Sequence, residues 1–447
     1  MAKRASFGSK IGAILVAAGS AIGLGSIWRF PYMTGENGGG AFLIVYLFSV
    51  LVVGIPVMLA EFAVGTYTRK SPVRAYNQLS PRWKWLGYNS VIVSLLISGF
   101  YYIVAGWSLE YFISSANGVL YSVGDFAQHF AAFTGSWREP IYTVVFVLLT
   151  HAIVIMGVQE GLERISKIVM PILLLMLVVL VIHSATMSGA AEGYQFLFKP
   201  DFSKVDSGVF LSALGQAFFS LSLGTACLCT YASYFGKQTN LIRSASQIAL
   251  IDSMIAILAG LMIFPAAFSV GVSPDSGPSL IFITLPSVFQ QAFAAVPMVG
   301  YVISILFYAL LALAAITSTI SMHEIGTVFF HEQLKLSRKS AAAIVTVVAG
   351  MICVFCSLSV GACDGLQLFG MSLMDFFDFL TAQIMLPVGA LLTCVYVGWV
   401  APRKVVQHEF ASSSNARSIL FTVYLFAARF VCPVCIILIF LNQFGVI

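Results

Sequence analysis

The feature that most constrains this chain is a glycine-broken polar run between two apolar segments near its start. The run, GSAIGLGS, spans residues 19–26, and apolar residues precede it from Ile11 and follow it from Ile27. In a bilayer every backbone N–H and C=O group needs a partner, so an unwound segment is stable there only where protein or a bound ligand satisfies it. The break therefore predicts a binding site inside the membrane.

The composition supports a membrane location. Of the 447 residues, 59% are apolar and 9% are charged, which exceeds what a water-soluble core of this length uses. The long apolar segments are close to the roughly 20 residues that a helix needs to cross a bilayer. They predict a single all-α membrane domain, residues 1–447, with eleven transmembrane helices at 11–34, 40–66, 88–116, 141–158, 168–188, 208–235, 245–272, 298–330, 341–362, 366–400 and 418–444.

The orientation follows from the positive charges. With a cytoplasmic N-terminus, every Lys and Arg outside the spans falls in a cytoplasmic segment except Arg138, Lys199 and Lys204. This asymmetry is typical of membrane proteins and predicts an extracytoplasmic C-terminus. It also accounts for the net charge of +5 without nucleic-acid binding. Because no Asn-x-Ser/Thr sequon is present, we expect a bacterial inner (plasma) membrane.

A second polar break, SLSLGT at residues 220–225, lies in the sixth span, five spans after the first one. Corresponding breaks in two halves of five spans indicate a transporter built from inverted repeats, with its binding site near the bilayer midplane. We expect the first repeat at 1–188, the second at 208–400, and an additional helix at 418–444.

Several motifs, in order, resemble the neurotransmitter:sodium symporter family, in its bacterial amino acid transporter branch. They lie at 19–31, 36–42, 54–61, 101–107, 216–234, 317–318 and 375–387. The resemblance implies a LeuT-type fold of 5+5 inverted repeats with helices 1 and 6 broken. It also implies sodium-coupled import of a neutral, hydrophobic or aromatic amino acid by alternating access. A proton-coupled amino acid transporter of the same fold, with Asp252 or Glu61 as the proton carrier, is the alternative.

The family pattern implies two sodium ions. One, at site 2, would bind oxygens of Gly19, Ile22, Ala314, Thr317 and Ser318. Ligation by oxygen atoms alone, without a carboxylate, suits a hard monovalent ion. The alternative is that the two hydroxyls bond only to their own helix.

The other sodium ion, at site 1, would bind Ala21, Ser26, Ser220 and Asp252. Relatives commonly carry Asn at position 26, and because a serine is shorter, we expect Asp252 to compensate. A carboxylate in mid-span is costly and is functional by default; its fixed charge would replace the chloride that animal relatives need. The alternative is a hydrated Asp252 near the cytoplasmic end of its span. Glu61 is interpreted as a hydrogen-bonded support behind the first break.

The family pattern also predicts the substrate pocket. Tyr101 would donate its hydroxyl to the substrate carboxylate, Phe219 would form the roof, and the small Thr225 would leave room for a larger side chain. The alternative for Phe219 and Met322 is ordinary helix packing. The full predicted lining is Ser20, Ala21, Gly23, Ile97, Tyr101, Phe219, Ser220, Ser222, Thr225, Ser318 and Met322.

An outer gate needs charges that pair in one state and separate in another. Arg29 lies just beyond the first break, and Asp378 is its expected partner. Asp375 competes for this role because residues i and i+3 share a helix face. Simple interfacial solvation is the alternative for these charges. Arg429, in the last span, has no predicted partner, and residues 273–297 are expected to form an extracellular lid.

An inner gate is expected between Arg4 and Glu332, supported by Tyr234, again with solvation as the alternative. Nearby, Gly161 and Pro171 bracket nine residues at the start of the fifth span. Glycine frees the backbone and proline removes a helix hydrogen bond. The spacing therefore predicts either local unwinding that admits water to sodium site 2 or a helix boundary.

Two other function classes are weighed against a transporter. His323 and Glu324 begin like the H-E-x-x-H zinc-protease motif, but Thr327 stands where the second histidine would be, so we expect no enzyme. A channel would show rings of like residues from an oligomer rather than two breaks in one chain. The sequence is compatible with either a monomer or a homodimer.

Overall fold

The structure is a computed structural model that describes residues 6–236, 239–271, 281–293, 296–361, 363, 365–411, 419–443 and 446. Within these residues, nine helices are each long and apolar enough to cross a membrane, and a bent pair of helices forms a tenth crossing. The first half of the chain contains the bent pair α1 (Lys10–Ala21) and α2 (Gly25–Glu36), then α3 (Gly40–Thr68), α4 (Pro81–Ala116), α5 (Arg138–Ile155) and α6 (Val158–Ser184).

The second half begins with an interrupted crossing. It contains α7 (Ser207–Ser220), α8 (Cys227–Ala232), α9 (Leu241–Ser269), α10 (Pro297–Gln333), α11 (Arg338–Val360), α12 (Leu373–Val400) and α13 (Phe421–Asn442). With α7 and α8 taken as one broken crossing, the described residues provide the eleven crossings that the hydropathy pattern predicts. The division at 1–188, 208–400 and 418–444 stays a prediction.

Polar N-cap side chains define where several of these helices begin. A serine, aspartate or asparagine oxygen accepts a hydrogen bond from a backbone N–H of the first turn and satisfies one of its unpaired donors. This occurs in α1, α7, α9, α11 and α12, whose N-cap residues are Ser9, Asp206, Asn240, Ser337 and Ser372. These caps place the ends of the membrane helices at polar positions in an otherwise apolar sequence.

Short elements connect the crossings. Helices cover Pro72–Leu79, Phe126–Thr134, Ala190–Phe198, Thr284–Ala292 and Arg403–Ala411, and 3-10 turns cover Leu120–Ser122 and Phe202–Lys204. One small antiparallel hairpin pairs β1 (Gln367–Leu368) with β2 (Met371–Ser372). Of the predicted lid, the structure describes 281–293, 296 and 297. Buried Phe282 packs there against Trp107 and Phe130.

Three predicted span boundaries were wrong. The third crossing begins at Pro81 rather than 88. The fifth crossing begins at Val158 rather than 168, because its early charges lie on the helix, where Lys167 pairs with Glu163 one turn away. The tenth begins at Leu373 rather than 366, because the hairpin occupies the preceding residues.

Two sets of helix contacts, which share α10, surround the broken segments. Helices α4, α5, α10 and α11 pack against one another, and α1 packs against α6, α9 and α10. Helix α2 bends away from α1 by 49°. The two breaks therefore lie side by side, enclosed by the surrounding helices.

Candidate substrate and ion site

The first break comprises residues 22–24, between α1 and α2. The Leu24 N–H donates to the hydroxyl of Tyr101, with an N–O distance of 2.8 Å. A Cβ atom at Gly23 would overlap the oxygens of that hydroxyl and of Ser318. A side chain at this position would have to displace them, so the Tyr101 and Ser318 hydroxyls lie directly against the opened backbone.

The second break comprises residues 221–226 and contains strained backbone. Ser222, Gly224 and Ala226 have positive φ angles of 54°, 83° and 52°. Such conformations are costly for the two non-glycine residues and are held only where the surroundings fix them. The Gly224 N–H donates to Oε1 of fully buried Glu61 at 2.8 Å. The prediction that Glu61 supports the first break is therefore wrong, because its carboxylate caps the second one.

A closed chain of polar contacts joins the two breaks. The Ser222 hydroxyl donates to the Ser20 carbonyl at 3.1 Å, and the Thr225 hydroxyl donates to the Ser222 carbonyl at 2.8 Å. The Cys227 N–H donates to the Thr225 hydroxyl at 3.1 Å, and the Cys227 thiol lies 3.0 Å from the Ser20 hydroxyl. These contacts hold the broken helices together and occupy the hydroxyl of Thr225.

A cavity of about 40 Å³ lies between the breaks. This is room for roughly three water molecules, so a larger ligand requires its walls to move. Two predicted lining residues, Gly23 and Ser220, do not line it, and Gly25, Cys227 and Leu386 line it without having been predicted. The described lining is Ser20, Ala21, Gly25, Ile97, Tyr101, Phe219, Ser222, Thr225, Cys227, Ser318, Met322 and Leu386.

Phe219 separates this cavity from a larger one. Its ring lines both the inner cavity and a cavity of about 420 Å³ whose walls include Arg29, Asp375 and Asp378. The Arg29 guanidinium carbon lies 4.6 Å from the ring centroid, a cation–π distance. The arginine and the phenylalanine thus form one partition between the two spaces.

The predicted Arg29–Asp378 ion pair is not formed. Among the described residues, no carboxylate oxygen lies within 4.0 Å of the Arg29 guanidinium. Arg29 instead donates to Gln216 Oε1 at 3.0 Å, and Gln216 Nε2 donates to the Gly25 carbonyl at 2.9 Å. Asp375 does not pair with it either, and its carboxylate accepts from the Ser372 hydroxyl at 2.7 Å. Arg29, Asp375 and Asp378 therefore line the large cavity without an ion pair between them.

Asp252 is fully buried beside the first break, so the alternative of a hydrated Asp252 is wrong. The Ser26 hydroxyl donates to Oδ1 at 2.5 Å, and the Ser220 hydroxyl donates to Oδ2 at 2.7 Å. Tyr46, which sequence reasoning missed, donates to Oδ2 at 3.2 Å. The Ser26 oxygen also lies 3.5 Å from the Ala21 carbonyl oxygen. All four predicted site 1 residues therefore meet in one oxygen cluster.

The predicted site 2 residues also converge. The Thr317 hydroxyl lies 3.2 Å from the Ile22 carbonyl oxygen and 2.8 Å from that of Ala314. A Cβ atom at Gly19 would lie 3.4 Å from the Thr317 Cβ. The hydroxyl thus contacts both its own helix and the first break, and its role as a sodium ligand stays a prediction.

Tyr234, a predicted member of the inner gate, contacts a second glutamate. Its hydroxyl donates to Oε1 of Glu324 at 2.7 Å. The Arg338 guanidinium holds the same Glu324 carboxylate through two hydrogen bonds of 2.9 and 2.5 Å. This buried Arg–Glu–Tyr cluster was missed because Glu324 was considered only as part of a protease motif.

Glu332 lies nearby at the end of α10. Its carboxylate accepts from the Ser71 N–H at 3.0 Å and lies 4.0 Å from Arg74. Arg4 is outside the described residues, so its pairing with Glu332 stays a prediction.

Two further residues have defined surroundings. Gly161 lies in the first, π-type turn of α6, and a Cβ atom there would overlap the Ile153 carbonyl oxygen. Helix α6 is wound from Val158 to Ser184, past Pro171. This agrees with the helix-boundary alternative for Gly161, and unwinding stays a prediction. Arg429 donates to the Gly398 carbonyl at 2.5 Å.

Comparison with known proteins identifies the family. A profile described as the sodium:neurotransmitter symporter family matches residues 4–123 and 127–446. The chain belongs to this family. A sodium-dependent transporter of Bacillus subtilis, YhdH, is 37% identical over 452 residues, covering 100% of this chain and 99% of the relative. A sodium-dependent transporter of Haemophilus influenzae is 33% identical over 459 residues, covering 99% and 98%.

A human relative and a solved structure extend the comparison. The human sodium- and chloride-dependent GABA transporter 2 is 30% identical over 339 residues, covering 64% of this chain and 55% of that protein. The crystal structure of MhsT in complex with L-phenylalanine superposes with a TM-score of 0.91 at 38% identity, covering 98% of this chain and 100% of that one. The predicted all-α membrane fold and the family resemblance are confirmed.

These matches settle the class of activity. The symporter family and its sodium-dependent members are membrane transporters, so this chain is a sodium-dependent symporter with a substrate to carry. The metalloprotease and channel alternatives are wrong for the same reason.

Proposed function

We propose that this symporter imports a neutral amino acid with an apolar or aromatic side chain, together with two sodium ions, across a bacterial plasma membrane. The observation that carries the proposal is the lining of the inner cavity, in which none of the 12 described residues is charged. A charged substrate side chain would lose its water there without gaining an ion pair, at a cost of several kcal/mol.

The backbone breaks supply what the side chains lack. A zwitterionic substrate needs donors for its carboxylate and acceptors for its ammonium group, and broken helices present both as free N–H groups and carbonyls. The Tyr101 hydroxyl lies between Leu24 and Ser318, where it can donate to a carboxylate at the first break. Phe219, Ile97 and Met322 would then enclose the side chain. The phenylalanine bound in the crystal structure of MhsT, which shares this fold, belongs to the same chemical class.

Two sodium sites would provide the driving force. Site 1 would use the cluster of Ala21, Ser26, Ser220 and Asp252, and site 2 the carbonyls of Gly19, Ile22 and Ala314 with the hydroxyls of Thr317 and Ser318. Each ion that enters down a potential of about 100 mV contributes about 2.3 kcal/mol, and a neutral zwitterion adds no opposing charge. Because Asp252 already provides a negative charge at site 1, we propose that transport needs no chloride.

The deciding experiment is a binding screen of the twenty amino acids with purified protein in sodium and in potassium medium. We expect sodium-dependent binding that is confined to neutral apolar or aromatic amino acids. Preferential binding of Lys or Glu, or equal binding in potassium, would contradict the proposal.

Asp252 as a proton carrier rather than a sodium ligand is the second candidate, because this fully buried carboxylate with hydroxyl partners could also carry a proton. Uptake into proteoliposomes separates the two candidates. A sodium gradient at equal pH should drive accumulation, whereas a pH gradient in sodium-free medium should not.

A further inference from the structure

Glu163 lies at the end of the π-type turn that opens α6 and has no role in the sites described above. Although it is acidic, its side chain is only 3% exposed. One carboxylate oxygen, Oε2, accepts from the Gly8 N–H at 2.6 Å, and the other, Oε1, accepts from the Ser9 hydroxyl at 2.9 Å. Both donors belong to the segment that leads into α1, more than 150 positions earlier in the chain. The carboxylate therefore ties the start of the first crossing to the start of the fifth.

The carboxylate also lies at the positive end of a helix. Ser9 is the N-cap of α1, and its hydroxyl oxygen accepts from the Gly12 N–H at 3.0 Å. Negative charge is stabilised at a helix N-terminus by the exposed N–H groups and the helix dipole. Gly12 is part of the fit, since a Cβ atom there would lie 2.5 Å from Cγ and Cδ of Glu163. The surface of α1 is thus shaped around this one side chain.

Lys167 gives the carboxylate a partner on its own helix. Its Nζ lies 2.6 Å from Oε1 of Glu163 one turn away, and its side chain is 41% exposed. If α1 moved away from α6, Glu163 would keep this cation and gain water. Separation would therefore not leave a buried unpaired charge, which is the usual obstacle to breaking such a contact.

We propose that Glu163 is a positioning residue for transport. It holds the half-helix α1 against α6 at the end of the protein that the charge pattern predicts to be cytoplasmic, and it releases α1, while keeping Lys167, when this end opens. The proposal relies on the protein being an alternating-access symporter of its family and not on the proposed substrate.

Hydrogen exchange of the backbone amides in α1 tests the proposal, using full-length protein in nanodiscs with sodium and no substrate. Glu163→Gln removes the charge with little change of shape, and we expect amide exchange across residues 10–21 to rise about tenfold, the effect of losing a charge-assisted hydrogen bond. Gly12→Ala should produce the same local rise by crowding the carboxylate. It also keeps the test valid if Glu163→Gln fails to fold.

Glu160→Gln is the matched control. Glu160 lies in the same turn, is exposed, and pairs with Arg164 at 3.2 Å; its replacement should leave exchange of α1 unchanged. Lys167→Met should raise exchange less than Glu163→Gln, because the contacts to Gly8 and Ser9 stay. Unchanged exchange at 10–21 in Glu163→Gln, or an equal rise in all the spans as expected of general destabilisation, would overturn the proposal. A failed amino acid screen with a positive exchange result would count against the substrate assignment alone.

Discussion

Replacing Asp252 by asparagine tests the proposed sodium site 1 most directly. Asparagine has nearly the same shape, so the buried position should stay filled, while the negative charge is lost. In the native protein, Oδ1 accepts from Ser26 and Oδ2 from Ser220, and both hydroxyl oxygens are proposed ligands. The carboxylate thus acts on the ion both through its charge and through the orientation of its neighbours.

The expected magnitude follows from Coulomb's law. An ion held by those hydroxyls would lie about 4 Å from the carboxylate, where two unit charges interact by about 4 kcal/mol at an effective dielectric constant of about 20. Rotation of the two hydroxyls toward the ion would recover part of this loss, about half at most. Sodium affinity should therefore fall between about 30-fold and 1000-fold.

The assay is the sodium dependence of substrate binding by purified protein, with potassium replacing sodium at constant ionic strength. Chloride should partly restore binding in Asp252→Asn, compared with gluconate, and should not affect the native protein. Tyr46→Phe is the matched control, because it removes one 3.2 Å hydrogen bond but keeps the charge, and it should weaken sodium binding by less than about tenfold. An Asp252→Asn variant whose sodium affinity stays within about threefold of native would refute the assignment.

Three further substitutions test other parts of the site. Thr225→Phe should shift substrate preference toward smaller side chains in the binding screen, because it adds an aromatic ring to a cavity of about 40 Å³; an unchanged profile would place Thr225 away from the substrate side chain. Phe219→Ala should join the two cavities and speed dissociation of bound amino acid at least several-fold. If Phe219 only packs between helices, the variant should have lower thermal stability and an unchanged dissociation rate. Glu324→Gln should lower the free energy of unfolding by about 3–5 kcal/mol, because it leaves the partly buried Arg338 charge without its carboxylate. The variant should unfold at a lower temperature than Glu160→Gln, and equal unfolding temperatures would contradict this.

The architecture could be predicted from the sequence because its signals are local. Glycine and hydroxyl residues interrupt long apolar segments at 19–26 and 220–225, and the structure has a helix break within or overlapping each run, at 22–24 and 221–226. The start of the fifth crossing could not be predicted from the sequence. Charged residues such as Glu163 are typical of loops, and only tertiary contacts show that this one lies on the helix. A sequence pattern does not show that a distant helix N-terminus will surround one of them.

The same limit explains the contacts that were missed. Tyr46 reaches Asp252 across 206 residues, and Gln216 reaches Gly25 across 191, so nothing near either residue in the sequence indicates its partner. The prediction of an Arg29–Asp378 ion pair was wrong for a different reason. Gate contacts differ between the states of a transporter, so a family pattern identifies residues that can pair but not whether one structure has them paired.

The positions of the two ion clusters explain how binding of ion and substrate can depend on each other. Ala21 lines the inner cavity and has its carbonyl beside Ser26, while Ser318 lines the same cavity next to Thr317. A ligand that fixes either residue also fixes one wall of the neighbouring site. The second ligand therefore costs less conformational entropy when it binds. Coupling of this kind needs no charge on the substrate. It does require that the cavity and both clusters share the two broken segments, which is the arrangement that the unwound backbone at 22–24 and 221–226 creates.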